Sequence, residues 1–244
     1  MPQNLSFIQN LNYQWVQTSG GITDDAGYAI TNDANGNLFT TGFFSGTVDF
    51  DPGPGVTNLT SSGGIDIFIL KLNASGDFIW AKQITCSYFG GITNLKVDQN
   101  FNIFYTIHFQ IATIDLDPGP ASYLFTSTGS YDFAVSRLDS NGNFVWAKQI
   151  GGTGIETAWG FDLDDTKNLT ISGIIVYDSV DIDPGVGVVT YHADSSIDGY
   201  ILKLDSNGNY LNSKHFASDN IMGISSILYE NNNLFACGTF RGNA

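Results

Sequence analysis

The chain has little of the residue types that most often carry catalysis, metal binding or helix formation. Its 244 residues include only nine Lys and Arg and three His. Charged residues make up 14% of the chain, whereas a typical soluble domain has about a quarter. Glutamate is nearly absent, with only Glu156 and Glu230. Because Glu favours helices whereas Asp favours turns and oxygen-ligand sites, this composition argues against helical structure.

Cysteine is scarce, with two residues, and long apolar runs and a leader-like N-terminus are missing. Cys86 and Cys237 stand at different positions of the repeat described below, so we predict two free thiols and no disulfide. No apolar run is long enough to span a membrane, which predicts no membrane insertion. Residues 1–6 lack the basic start and apolar core of a signal peptide. The net charge of −15 would repel nucleic acids and anionic membranes, so we expect neither as a partner.

What the chain does have is an internal repeat. Residues 78–84 and 144–150 are nearly the same text, and 146 − 80 between their tryptophans gives a period of 66. Weaker copies lie at 13–17 and 210–214. The chain is therefore a tandem array, and the repeat unit determines the fold.

Each unit contains four short apolar runs bounded by Asn, Asp and Gly turns. In the first unit these runs are 28–31, 38–44, 65–72 and 78–84, with a long connection at 45–64. Short β-branched and aromatic runs of this kind predict antiparallel strands. Four strands repeated every 65 or so residues predict an all-β β-propeller blade, and a solenoid of such units is the alternative.

The repeat divides the chain into three complete blades of one propeller domain with a partial blade at each end. We expect an open arc, with a closed four-bladed ring as the alternative, and we expect the chain to be a fragment that works with the rest of the propeller or with neighbouring domains. The predicted units are 1–20 (an N-terminal segment and the last strand of a preceding blade), 21–86, 87–152, 153–218 and 219–244 (a partial blade).

Three recurring stretches resemble the SBBP family, whose name stands for seven-bladed β-propeller. One is Gly36-Asn37-Leu38-Phe39-Thr40-Thr41-Gly42. The second runs from Asp132-Phe133 to Trp146-Ala147, and the third is Gly151-Gly152. The resemblance covers roughly residues 13–240 and is specific for the fold. It implies a bacterial secreted or cell-surface protein, and a binding or scaffold role there.

Acidic residues recur in every long connection. In each unit two aspartates flank an apolar residue before Pro-Gly, and a third acid follows fifteen residues after the second. Carboxylates of this kind suit Ca²⁺, the one candidate cofactor. Asp before Pro-Gly is also an ordinary turn starter, and this alternative stays open. The nine predicted metal ligands are Asp49, Asp51, Asp66, Asp115, Asp117, Asp132, Asp181, Asp183 and Asp198.

Three functions fit this sequence. A non-catalytic binding or scaffold module, with the Asp-rich connections forming a surface for a protein or glycan ligand, is the prediction. A propeller enzyme acting on glycans is the first alternative, but Glu156 and Glu230 show no paired acid and base pattern, and sialidase-like sites need three arginines whereas the chain has Arg137 and Arg241. A purely structural spacer is the second. We therefore predict no catalytic residues.

Overall fold

The computed structural model describes residues 14–177, 179–193 and 197–242. These residues form 18 β-strands and no helix, so none of them offers a helix that could cross a membrane. The strands in chain order are β1 (Ala26–Asn32), β2 (Leu38–Asp49), β3 (Asn58–Leu72), β4 (Phe78–Cys86), β5 (Phe89–Val97), β6 (Ile103–Gln110), β7 (Thr113–Asp115), β8 (Leu124–Thr126), β9 (Tyr131–Leu138), β10 (Phe144–Ile150), β11 (Ile155–Leu163), β12 (Leu169–Val176), β13 (Ser179–Asp181), β14 (Thr190–His192), β15 (Ile197–Leu204), β16 (Tyr210–Phe216), β17 (Ile221–Glu230) and β18 (Asn233–Arg241).

The strands group into three four-stranded antiparallel blades and one two-stranded part-blade. The first blade has the order β1-β2-β3-β4, the second β5-β6-β9-β10, and the third β11-β12-β15-β16. The part-blade consists of β17 and β18. Short hairpins, β7-β8 and β13-β14, lie between the second and third strands of the second and third blades. The predicted all-β fold of repeated four-stranded blades is confirmed.

Neighbouring blades touch through their inner strands, and the array is that of an open β-propeller. Single parallel bridges, Tyr131 with Ile155 and Ile197 with Ile221, join successive blades. At the far end, β18 is exposed along all nine residues. Its outer edge therefore has no partner strand in the part of the chain that the structure describes.

The predicted strand at residues 13–18 falls largely on coil. Residues 1–13 lie outside the described residues, and residues 14–19 form no strand. Trp15 nevertheless donates its indole N–H to the carbonyl oxygen of Ala74 at 3.2 Å. Trp146 makes the same bond to Ser206 two blade junctions further on, also at 3.2 Å, whereas the indole N–H of Trp80 at the junction between them has no hydrogen-bond partner among the described residues. The Trp position of the repeat thus anchors the segment to the first blade without a hydrogen-bonded ladder.

The apolar cores lie between blades. One core cluster joins Phe39 and Ile69 of the first blade to Ile92 and Tyr105 of the second. Another joins Phe133 of the second blade to residues of the third, including Tyr200. The predicted burial of the third strand on both faces is confirmed, since residues 67–70 are all buried. Burial of apolar side chains from both faces of each sheet is the main force that holds the array together.

The tight turns at one end of the blades share one hydrogen-bond pattern. Asp33 accepts the backbone N–H groups of Asn35 and Asn37, each at 2.9 Å. Asp139 does the same for Asn141 and Asn143, so this stretch is a hairpin turn of the same kind. These turns need a left-handed residue, and Gly36 has φ 77° there.

Candidate functional site

The opposite end of the blades, here called the hairpin face, carries the long connections and the links between blades. In the first blade the connection extends β2 and β3 into a hairpin that pairs Thr47 with Thr60 and Asp49 with Asn58. Ser87, in the link between the first two blades, donates its N–H to the carbonyl of Thr113 in the β7-β8 hairpin at 3.0 Å. The long connections are therefore ordered hairpins. The second one turns back along the outer edge of the first blade, because β7 pairs antiparallel with β4 and Tyr123 packs on Phe144.

Compared with the first blade, the second and third blades have one additional residue between the second strand and the hairpin. β2 runs unbroken through Gly46, which has φ 68°, to Asp49. The second blade has Ile111 and Ala112 at this place. Ile111 has φ 44° and is 70% exposed. Tyr177 repeats this with φ 51° in the third blade. The left-handed residue ends the strand, so the hairpin β7-β8 continues as a separate ladder.

The two acids of each hairpin cap its turn. Oδ1 of Asp49 accepts the N–H groups of Asp51 and Thr57 at 3.0 and 2.8 Å, and Oδ1 of Asp51 accepts that of Gly53 at 2.8 Å. Phe50 between them is buried, as the predicted alternation requires. The other two blades repeat these bonds from the pairs Asp115 and Asp117, and Asp181 and Asp183.

The third acid of each set is buried and belongs to a different structure. Asp66 accepts a 2.6 Å hydrogen bond from the Gln83 side chain and a 3.0 Å bond from the N–H of Cys86, so it ties the middle of β3 to the end of β4. Asp198 does the same with His215 at 2.8 Å and the N–H of Ser218 at 3.1 Å. These two carboxylates link the third and fourth strands inside their blades.

The second blade departs from this pattern. Asp132 accepts the Gln149 side chain at 2.5 Å, but the N–H of Gly152, which corresponds to that of Cys86, goes to Glu156 at 2.7 Å. Oδ1 of Asp132 is buried without a hydrogen-bond partner. Burial raises the pKa of Asp132 and outweighs the hydrogen bonds from Gln149 and Thr128, which lower it. The side chain is therefore easier to protonate than a solvent-exposed aspartate.

The structure brings the first two predicted ligands of each set into one turn but places the third elsewhere. Asp49 lies opposite Asn58, whereas Asp66 lies opposite Phe44, five ladder positions away. The hairpin does not extend the ladder in a straight line, because the strand bends at Gly46 and the rings of Phe44 and Phe50 lie 5.3 Å apart. Within residues 14–177, 179–193 and 197–242, no three His, Cys, Asp or Glu side chains are grouped so that they could hold a metal ion. Calcium binding by the hairpin pairs stays a prediction.

The cysteines have no role in this arrangement. Cys86 is buried and Cys237 is exposed, and neither forms a disulfide, as predicted. Burial raises the pKa of the Cys86 thiol, which keeps it protonated and unreactive.

Sequence reasoning missed a second recurring feature, a β-bulge in every inner strand. β1 bulges between Gly27 and Ala29, and the other inner strands do so at the corresponding place. A bulge re-aims the side chain of the additional residue. The glycines on the neighbouring second strands were the available signal, because a Cβ at Gly42 would overlap the carbonyl oxygen of Ala26. The bulged residues are Tyr28, Thr93, Trp159 and Ser225.

A cavity of about 360 Å³ opens beside the first bulge, between the first and second blades. Its lining comes from the hairpin-face ends of β1, β5, β6 and β9. Tyr28 is 59% exposed and packs on Phe43 with ring centroids 5.6 Å apart. The lining residues are Tyr28, Gly91, Ile92, Thr93, His108 and Tyr131.

The imidazole in this cavity is neutral. Nε2 of His108 accepts the backbone N–H of Ala158 at 2.6 Å, which places the ring proton on Nδ1. Burial lowers the pKa of His108 to about 4. The carbonyl oxygen of Ala158 is held as well, by the Thr93 hydroxyl at 3.0 Å. The second and third blades are thus joined by hydrogen bonds beside the cavity.

Comparison with known proteins supports the repeat fold. The chain is 22% identical to an uncharacterised WD repeat-containing protein of Acanthamoeba polyphaga mimivirus, over 79% of this chain. The match spans 15% of that protein's length. No family model matches the chain. Together with the blade topology, this similarity supports a propeller-like repeat fold.

Proposed function

We propose that this chain is a non-catalytic β-propeller module that binds a protein or glycan ligand through the hairpin face. The observation that carries the proposal is that three hairpins share one hydrogen-bonded frame and differ at their exposed tips. Loops held by a rigid scaffold are where binding residues concentrate.

The tips combine a fixed turn with variable apolar side chains. In the first hairpin Val56 is exposed, in the second Tyr123 and Leu124, and in the third Val186 and Val188. The same aspartate bonds support all three turns. Isolated exposed apolar residues are ordinary, but their recurrence at the tips of three equivalent hairpins favours contact with a partner.

The acids fit a scaffold better than an active site. Glu156 is buried at the hairpin-face end of β11, whereas Glu230 ends β17 at the tight-turn end. The two glutamates therefore lie at opposite ends of their blades and form no acid and base pair. Binding to protein partners also fits a WD repeat-like fold. By resemblance to the SBBP family, the module would act in a secreted or cell-surface protein.

The test is a binding screen with matched variants. Peptide and glycan arrays are probed with the wild-type chain, with a tip variant carrying Tyr123→Ser and Leu124→Ser, and with a control carrying Leu228→Ser. Leu228 is 52% exposed on β17 of the part-blade, which carries none of the three hairpins. We expect ligands to be lost by the tip variant and kept by the control.

Two outcomes would contradict the proposal. Turnover of an arrayed glycan by the wild-type chain would favour the enzyme alternative. Ligands that all survive the tip substitutions, or an absence of any ligand, would favour a structural spacer. Circular dichroism and melting curves establish that each variant is folded before its binding is compared.

A further inference from the structure

In the three complete blades, the connections and links of the hairpin face carry no basic residue, whereas Arg241, paired with Ile221, lies at this end of the part-blade. No Lys or Arg occurs in residues 19–25, 45–66, 87–91, 110–132, 151–156 or 176–198. Exposed hairpin acids such as Asp181, which is exposed on β13, are therefore not offset by neighbouring cations. Most of the basic residues lie near the tight turns or on the outer strands, and Arg241 ends β18. Those near the turns are Lys71, Lys96, Arg137, Lys167 and Lys203.

This asymmetry gives the hairpin face a negative potential. A surface of one sign attracts partners of the opposite sign and steers their approach. The net charge of −15 acts in the same direction. Charge complementarity therefore selects a cationic ligand for this face over an anionic one.

The cavity beside Tyr28 supplies a place for a single cationic side chain. Its six lining residues include two tyrosines and no Lys or Arg. Tyr28 lies on the bulge of β1, close to the Cα of Gly91, and its ring is supported by Phe43. An aromatic ring fixed in this way attracts an ammonium or guanidinium group over its face. The neutral His108 imidazole adds no repulsive charge.

We propose that the hairpin face docks a basic polypeptide segment, and that the cavity lined by Tyr28 and Tyr131 takes one of its Lys or Arg side chains. This inference rests on the proposed binding function and names its ligand class. The acidic hairpins draw the segment to the face by long-range attraction. The tyrosines then hold one side chain by a short-range contact.

The experiment uses a fluorescein-labelled twelve-residue peptide of Gly, Ser and Arg, and a counterpart in which each Arg is replaced by Glu. Fluorescence anisotropy gives the dissociation constant of each peptide for the folded chain. We expect the Arg peptide alone to bind, and we expect its affinity to fall with added salt because the attraction is screened.

Two tyrosines provide the matched comparison. Tyr28→Ala and Tyr28→Leu remove the aromatic face, and the second keeps apolar bulk in case the first perturbs folding. Tyr88→Ala is the control, because Tyr88 is 67% exposed in an inter-blade link and does not line the cavity. We expect a loss of affinity of about fivefold for both Tyr28 variants, as for one exposed cation–π contact. Tyr88→Ala should leave affinity within about twofold, since it removes no such contact.

The proposal is overturned if the Glu peptide binds as well as the Arg peptide, or if the Tyr28 variants and Tyr88→Ala behave alike. If neutral oligosaccharides bind in the cavity and the Arg peptide does not, the cavity is assigned to a glycan instead. These failures are distinct from failure of the proposed function. The proposed function fails if no ligand depends on Tyr123 and Leu124. A ligand whose binding requires Tyr123 and Leu124 but not Tyr28 would contradict only the proposal of a basic segment.

Discussion

Lys71 reaches across the junction between the first and second blades, where Nζ donates a 3.3 Å hydrogen bond to the carbonyl oxygen of Ser140. Arg137 makes the corresponding bond to Ser206 at the next junction, at 3.2 Å. In both pairs, a basic residue near the end of a third strand holds the tight turn of the next blade. The recurring basic residues near the tight turns are thus parts of the blade-to-blade joint.

Arg137→Met should weaken the second joint. The guanidinium also donates to Asn102 at 3.0 Å and lies over the Phe104 ring, 5.7 Å from its centroid. We expect the free energy of unfolding to fall by about 1–2 kcal/mol, as for the loss of hydrogen bonds from a charged group. Urea denaturation measures this change. Lys214→Met is the control, because Lys214 is exposed on β16 and should change stability by less than about 0.5 kcal/mol.

Gly173→Ala should be far more damaging than Gly27→Ala. A Cβ at Gly173 would overlap the carbonyl oxygen of Thr157 at the bulge of β11, whereas nothing lies within 4 Å of a Cβ at Gly27. We expect a loss of about 3 kcal/mol or more at Gly173, because the backbone itself has to move. Thermal melting of the two variants gives the comparison, and equal melting temperatures would mean that the bulges yield easily.

Lys167→Gly should stabilise the third blade. Lys167 has φ 68° at the turn position where the first blade has Gly36. A side chain is strained in this region, whereas glycine is not. After subtraction of the greater chain entropy that glycine adds to the unfolded state, we expect a gain of about 0.5–1 kcal/mol. The reciprocal change, Gly36→Lys, should destabilise the first blade, and a gain there would contradict the strain argument.

His108 should make the protein less stable as the pH falls below 6.5. Because the pKa of His108 is lowered to about 4 in the folded chain, its full contribution is present above the unfolded pKa and is lost between pH 6.5 and 4. His108→Gln keeps an acceptor for the Ala158 N–H and does not titrate. Between pH 7 and 5 the wild-type chain should lose about 2 kcal/mol more than this variant, a figure set by the two pKa values. Parallel losses in urea titrations would assign the pH dependence to other groups.

Calcium, if bound, should act through the hairpin pairs. The hydrogen bonds described for Asp49 and Asp51 end on Oδ1 of each, and among the described residues Asp66 is not grouped with them as a third ligand. We expect excess Ca²⁺ to raise the melting temperature relative to chelator, because binding to the native state alone stabilises it. Asp51→Asn combined with the same change at Asp117 and Asp183 should abolish the rise. An unchanged melting temperature in the wild-type chain would leave these acids as turn caps.

The blades were predictable because their information is local and repeated. The turn aspartates, the Asn-Gly tips and the apolar third strand each recur about every 65 residues, and the structure keeps them where the pattern indicates. The hairpin within residues 45–64 was not predicted. Its strands are only three residues long in the second and third blades, and their ends depend on the backbone conformation of residues such as Ile111.

The candidate site was predictable only in part. The spacing of Asp49, Asp51 and Asp66 is regular in sequence, but the turn folds the first two together and β3 carries the third away. Tyr28 left no repeating signal, since the bulge position holds a different residue in each blade. His215 looked unrelated to other sites because it replaces Gln83, whose bond to the buried carboxylate it takes over.

The additional residue at Ile111 has a practical consequence. Because it ends β6 before the hairpin begins, residues 113–126 have a ladder of their own and share none with β6 or β9. β7 also pairs at two positions with β4 of the first blade, so a graft has to keep Ile114 and Asp115. Such a hairpin can be exchanged for another sequence of similar length without a change in the register of the blade. The first blade offers no such freedom, since β2 and β3 run through into its hairpin. A library of new recognition loops should therefore be grafted onto the second and third blades, with the first kept as the template.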